Sequence, residues 1–188
     1  RPMKQLLAAI FVVSGSPGIY SQDSFYDHIP SGIYGVGYSD TVLFDDEIPY
    51  SQYGYTGAAP VFTGIWFPLE KKNGREPIRY GEYRMDNLPE GLVRVYRELS
   101  RLMDESFTET SLSYSFPAGD PVDYGNHTPA DVLNRIKLSE TKSVRAAPDA
   151  EAGWPVIVYH HGSQGLPEEN SIMAEFFASR GYIFVSAN

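Results

Sequence analysis

The densest chemistry in this chain lies in six residues near its end, His160, His161, Gly162, Ser163, Gln164 and Gly165, written HHGSQG. They follow the apolar run WPVIVYH (Trp154 to His160) and precede PEENSIMAEFFASRG (Pro167 to Gly181), so they join a strand-like segment to a helix-like one. In parallel α/β sheets, ligands bind beyond the carboxyl ends of the strands, which is where such a turn falls. Gly162 and Gly165 permit close backbone approach and angles closed to other residues. Backbone N–H groups in a turn of this kind can point at a developing negative charge, as an oxyanion hole requires.

Other uses of these residue types are weaker. A phosphate cradle would need G-x-x-x-x-G-K-[ST] or G-x-G-x-x-G, and neither occurs. Adjacent strand residues point to opposite faces, so His160 and His161 do not converge on one metal ion. His160 instead reads as a packed or hydrogen-bonded residue at a strand end. His127, in DYGNHTP with Asp123 nearby, lacks a second histidine at ligand spacing. His28, in FYDHIP, reads as a turn or surface residue. No motif implies a metal or any other cofactor. The chain has no cysteine, which excludes disulfides, thiolate metal sites and a cysteine nucleophile together.

The elements around the turn set its position. WPVIVYH is short, β-branched and without polar alternation, as is YIFVSAN (Tyr182 to Asn188), and both read as strands buried on two faces. The segment between them reads as a helix. Glu168 and Glu169 suit its N-terminal end, Ile172, Met173, Phe176 and Phe177 form an apolar face, and Gly181 stops it. Strand, helix and strand in this length form a βαβ unit with parallel strands.

Upstream, YGVGYSDTVLF (Tyr34 to Phe44) and APVFTGIWFPLE (Ala59 to Glu70) read as antiparallel strands. The many tyrosines here fit strand propensity, with a carbohydrate-stacking surface as the alternative. A helix is expected over Pro89 to Phe107, with Leu92, Val95, Tyr96, Leu99, Leu102 and Met103 on one face. A second is expected over Thr128 to Glu140, capped by Thr128 with Pro129 in the first turn. TKSVRAAPDAEAG reads as a surface connector.

The net charge of −9 and pI of about 4.8 repel phosphate backbones, so nucleic acid is not an expected partner. Residues 1–21 read as a secretory signal peptide. Lys4 supplies the positive start, LLAAIFVV (Leu6 to Val13) is the apolar core, and cleavage is expected after Ser21. That core is too short to span a bilayer, and a buried N-terminal strand or helix is the alternative. A secreted chain without cysteine fits a bacterial periplasm or exterior better than a eukaryotic secretory route. After cleavage no transmembrane segment is expected.

Strand, His-Gly-x-x-Gly, helix, Arg-Gly-Tyr, strand resembles the first parallel crossover of an α/β-hydrolase. SGIYGVGYSDTVLFDD (Ser31 to Asp46) followed by VFTGIWFPLE (Val61 to Glu70) resembles the platelet-activating factor acetylhydrolase-like branch, and dienelactone hydrolases share the later crossover. The resemblance spans about 30 residues early in the chain and about 35 at its end, while Lys71 to Gly153 aligns with nothing. It implies an α/β-hydrolase fold with residues 22–188 as its N-terminal half: antiparallel leading strands, then the βαβ crossover of a mostly parallel sheet. It also implies an oxyanion donor at the Ser163 backbone N–H, with Gly162 shaping the turn. His161 becomes the strand-end histidine that organises the loop, and Gln164 lines the same mouth. This family often places a larger apolar residue where Ser163 stands.

The family's triad runs Ser, Asp, His, with the serine on a G-x-S-x-G elbow. This chain has none; SGSPG (Ser14 to Gly18) comes nearest and lacks the first glycine. No catalytic triad residue is therefore assigned, and the expectation is a truncated hydrolase whose triad follows Asn188. Arg1 and Pro2 ahead of Met3 fit a translated gene fragment. The implied function is hydrolysis of a small-molecule or lipid carboxylic ester. The alternatives are another α/β-hydrolase chemistry, peptidase or carbohydrate esterase, and a non-catalytic secreted binding module. Strands left without neighbours invite aggregation. The 188-residue chain alone is therefore expected to be insoluble or partly unfolded and without esterase activity, as soluble yield and an ester assay would check.

Overall fold

The fold is seen in a computed structural model that describes Tyr26 and residues 29–70, 74–85, 88–115, 118–149, 153–160 and 165–188. Its frame is a hairpin of two long strands, β1 (Gly35–Gln52) and β2 (Tyr55–Leu69), paired antiparallel from Gly35↔Leu69 to Gln52↔Tyr55. Tyr53 and Gly54 close it in two residues, with φ of 52° and 84°. Positive φ at both central positions gives the turn whose twist matches that of the flanking strands. The register shifts between Asp45 and Pro49, where Pro49 has no N–H to give the ladder.

Three shorter strands extend the sheet in the order β3-β1-β2-β5-β4. β4 (Val156–His160) and β5 (Ile183–Ala187) are parallel, and β5 pairs antiparallel with β2. β3 (Ser143–Arg145) runs parallel to β1 at the opposite edge. It falls in the stretch read as a surface connector, a correction with a simple cause. Three residues are too few for any hydrophobic period to show.

Among the described residues between β4 and β5 lie a 3-10 turn, Pro167–Asn170, and then α3 (Ser171–Ala178). Gly181, at φ 93°, ends this unit as the sequence reading placed it. The expected apolar face holds in part: Met173 and Phe177 pack against the core cluster, with the Phe177 ring stacked on Phe184 at 6.2 Å. Ile172, Met173, Phe176 and Phe177 are only half-buried, whereas Ser171, Ala174, Glu175 and Ala178 face the sheet. Ala174 and Ala178 share a core cluster with Trp66, Tyr38 and Phe184, so the sheet supplies the bulk and the helix the small residues.

α1 (Glu90–Ser106) buries Leu92, Val95 and Tyr96 against Phe62, Met85 and Leu166, with Leu99 and Met103 beside them. Leu102 lies at the margin of that stripe and is 41% exposed, contrary to the sequence reading. α2 (Pro129–Leu138) starts as expected, the Thr128 hydroxyl accepting the Asp131 N–H at 3.2 Å in a capping box.

Both clusters lie on one face of the sheet. The register sets Leu43, Val61, Ile65, Val185 and Val158 on the other. There Val158 is 76% and Val156 58% exposed. β4 is thus an edge strand covered on one face among the described residues, where its composition led us to expect two.

Gly37 gives this sheet a sharp sensitivity. A Cβ there would lie 2.2 Å from the Phe67 ring of the paired strand. Gly37→Ala is expected to destabilise the fold by about 1–3 kcal/mol, read from the urea midpoint. An unchanged midpoint would mean that the Phe67 ring yields freely.

Candidate functional site

The carboxyl ends of β4 and β5 lie side by side, with His160 paired to Ala187 in register. The turn expected to do chemistry leaves from this end. His161, Gly162, Ser163 and Gln164 themselves lie outside the described residues, as do residues 1–21 and His28. His160 stands exposed at the strand end.

The frame on the far side of the turn is well defined. Leu166 is 1% exposed in the cluster with Phe62. Pro167 seats against β2 at Gly64, where a Cβ would come within 3.3 Å of the Pro167 Cβ and 2.8 Å of the Trp66 ring. Asn188 closes the neighbouring strand end: its N–H donates to the Phe62 carbonyl at 3.2 Å, and its Oδ1 accepts the Phe62 N–H at 2.5 Å. Asn170 Nδ2 donates to the Tyr159 hydroxyl at 2.5 Å, tying the 3-10 turn back to β4.

Two carboxylates behind this end are almost wholly buried. Glu168 is 2% exposed, with Arg84 Nε 3.2 Å from its Oε1. Burial pushes its pKa above the ordinary carboxylate value, and Arg84 opposes the shift. Glu175 is also 2% exposed. Its Oε1 accepts the Tyr83 hydroxyl at 2.6 Å, the Ser143 hydroxyl at 2.7 Å and the Lys142 N–H at 2.9 Å. Burial again raises its pKa, against the pull of these three donors. Ser143, Glu175 and Tyr83 thus contain the atoms of a hydrolytic site but are closed to substrate, with Ser143 fully buried. They are a structural knot.

The sequence reading missed both roles. In the sequence Glu168 suits the N-terminal end of a helix, where its charge meets the dipole. An acid at the first turn looks the same in sequence whether it points out or in. Glu175 carried a signal that could have been used: a lone acid inside the apolar run IMAEFFA, which needs partners if buried.

The remaining candidates stay apart. His127 is half-buried, and Asp123 Oδ1 accepts the Gly125 N–H at 2.8 Å within its own turn. Among the described residues no three His, Asp or Glu side chains converge as a metal would require. An open groove of about 440 Å³, lined by Tyr38, Asp40, Val42, Met85 and Arg145, lies along β1 and the end of β3, far from β4 in sheet order. The Asp40–Arg145 ion pair belongs to its wall. No described helix is long and apolar enough to cross a membrane.

The fold has a counterpart among solved structures. The ferulic acid esterase from Streptomyces cinnamoneus superposes with a TM-score of 0.50 at 16% sequence identity, over 86% of this chain and 35% of that one. The chain therefore spans about a third of the length of that structure. At this identity the likeness concerns the fold, a mixed α/β sheet with helices similar to an esterase's. No protein-family model and no curated protein matches the chain.

The buried acids predict a pH dependence. With folded pKa values raised above the ordinary 4.5, the folded chain holds more protons than the unfolded one in the window above 4.5. Their contribution is present in full below 4.5 and is lost as pH rises through the raised values. Glu175→Gln removes one of the two groups. Its urea midpoint is expected to change less than wild type's between about pH 5 and about pH 8. A slope as steep as wild type's would show that Glu175 titrates normally.

Proposed function

We propose that this chain is the N-terminal half of an α/β-hydrolase domain, residues 22–188, in a carboxylic-ester hydrolase secreted or held in a bacterial periplasm. The observation that carries the proposal is the parallel pair β4–β5 with HHGSQG leaving from their shared carboxyl end. This is the location at which α/β sheets bind ligands. The fold likeness to a ferulic acid esterase supports the same class.

In this reading the Ser163 backbone N–H is an oxyanion donor, Gly162 shapes the turn, and His161 and Gln164 rim the pocket. A serine hydroxyl supplied beyond Asn188 attacks the ester carbonyl. A histidine oriented by an aspartate takes the hydroxyl proton and returns it to the departing alcohol. The tetrahedral oxyanion formed between these steps accepts a hydrogen bond from Ser163. Water then attacks the acyl-serine, the histidine takes its proton, and the acid leaves as serine regains its hydrogen. The substrate is a small-molecule or lipid ester, a short acyl group being the form that the platelet-activating factor acetylhydrolase-like resemblance favours.

The test has two parts. The reading frame past the Asn188 codon is expected to carry G-x-S-x-G, then an Asp and a His in that order. The whole protein is expected to hydrolyse p-nitrophenyl acetate, and a parallel assay on methyl ferulate separates short-acyl from aromatic-acyl preference. Ser163→Pro removes the N–H and is expected to lower kcat by about 10² to 10³. Full activity in that variant would place the oxyanion donor elsewhere.

A further inference from the structure

β1 is 18 residues long, yet among the described residues its outer edge is strand-paired only at Val36, Gly37 and Tyr38, where β3 runs beside it. The outer edge of β3 is itself closed. The Ser143 carbonyl accepts the Ile78 N–H at 2.9 Å, and the Arg145 carbonyl accepts Arg75 Nη1 at 2.9 Å. The β1 edge beyond Tyr38 has no such cover. The last bond on that side runs from the Ala146 N–H to the Tyr38 carbonyl at 3.1 Å. Backbone groups alternate in direction along a strand, so Asp40, Val42 and Phe44 turn their N–H and C=O groups the same way as Tyr38. No hydrogen bond among the described residues reaches them there. The groove of about 440 Å³ lies along this stretch, with Val42 and Met85 as apolar lining and the Asp40–Arg145 pair as charged lining. Leu43 and Phe44 are exposed beside it.

We propose that the β1 edge from Asp40 to Phe44 is a docking site for an extended segment of a partner protein that carries lysine or arginine and adds to the sheet in line with β3. An open edge offers main-chain donors and acceptors to a strand laid about 4.8 Å away, and this supplies affinity without regard to sequence. Selectivity comes from the side chains. Those of the segment that fall over Val42 and Met85 meet an apolar lining. The charge along the strand selects the rest. From Ser39 to Gln52, β1 holds Asp40, Asp45, Asp46 and Glu47 and no lysine or arginine. Arg145 answers Asp40, whereas Asp46 and Glu47 stand exposed just past the open stretch. A cationic segment is drawn to that end. A second copy of this chain fits less well. It would bring a further net charge of −9, and in antiparallel pairing β3 of each copy would block the other's strand once it reached Tyr38. Acids on an exposed edge are a common guard against such self-pairing.

The probe is a capped octapeptide alternating valine and lysine, titrated into the whole protein and followed by fluorescence anisotropy and by backbone amide exchange. It is expected to bind at least about tenfold tighter than an octapeptide alternating valine and glutamate. At saturation it is expected to slow exchange at the Asp40, Val42 and Phe44 N–H groups by about tenfold. The valine–lysine peptide N-methylated throughout keeps the charge and loses the donors, and is expected not to bind over the same range. Asp46→Lys with Glu47→Lys alters two exposed side chains and is expected to reverse the preference between the two charged peptides. Equal binding by the N-methylated peptide would reduce the site to surface charge and overturn the proposal. So would an absence of binding by the valine–lysine peptide at about 1 mM, or an unreversed preference in the double variant. Sedimentation as a dimer, with the same three amides already protected before peptide is added, would give the edge to a second copy and overturn it as well. The titrations and the exchange on the unmutated protein decide if the double variant does not fold. None of these readouts depends on whether the protein hydrolyses esters.

Discussion

The Glu175 carboxylate is the interaction on which the rest of this structure depends. One oxygen receives a tyrosine hydroxyl, a serine hydroxyl and a backbone N–H, from Tyr83, Ser143 and Lys142. Those donors come from the 3-10 turn Tyr80–Tyr83, from β3 and from the residue just before it. The acid sits on α3, so the sheet edge at β3 and the helix over β5 are joined through one atom. Tyr38 extends the knot into β1 by donating its hydroxyl to the Tyr83 carbonyl at 2.8 Å. A buried charge is tolerable only with such company, and the alternative of leaving it unpaired is among the most destabilising changes a core can suffer.

Glu168 is a different solution to the same difficulty. Its described side-chain partner is one guanidinium, with Arg84 Nε 3.2 Å from Oε1, whereas Glu175 takes three hydrogen bonds. The first arrangement resists translation along one direction, that of the Arg84 side chain. The second fixes the carboxylate from several directions at once. One holds a hinge-sized piece of chain and the other a whole layer, which matches what each is attached to.

How much of this was legible in the sequence follows from how far apart the partners lie. The capping box at Thr128 spans three residues, and the glycine stop at Gly181 is a single position, so both could be read directly. The βαβ order was legible because strand, helix and strand each fill an ordinary window. Ser143 was not, since its value comes from residues 32 positions later and 60 earlier. The face of α3 was read only in part, for a related reason. Hydrophobicity ranks Ile172 and Phe176 above Ala174 and Ala178, but the sheet beneath already carries Trp66 and Phe184, with Phe177 stacked on the latter. The helix buries what fits, and what fits is small. The candidate turn stands out in the sequence through its glycines and its place between elements, whereas the acid beside it is indistinguishable there from a surface charge.

The strand order has a consequence for how the chain is made. β4 has β5 as its one described neighbour, and β5 has β2 on its other side. A ribosome delivers the hairpin β1–β2 first, and that pair can close through local contacts. It delivers β4 well before β5, with His160 and its register partner Ala187 separated by the entire crossover. At about 5–20 residues per second, β4 spends on the order of seconds as a nascent β-branched strand with no pairing partner yet made. During that interval Val156 and Val158 are the segment a chaperone would meet, and the speed of translation across Pro167 to Gly181 governs how long the meeting lasts.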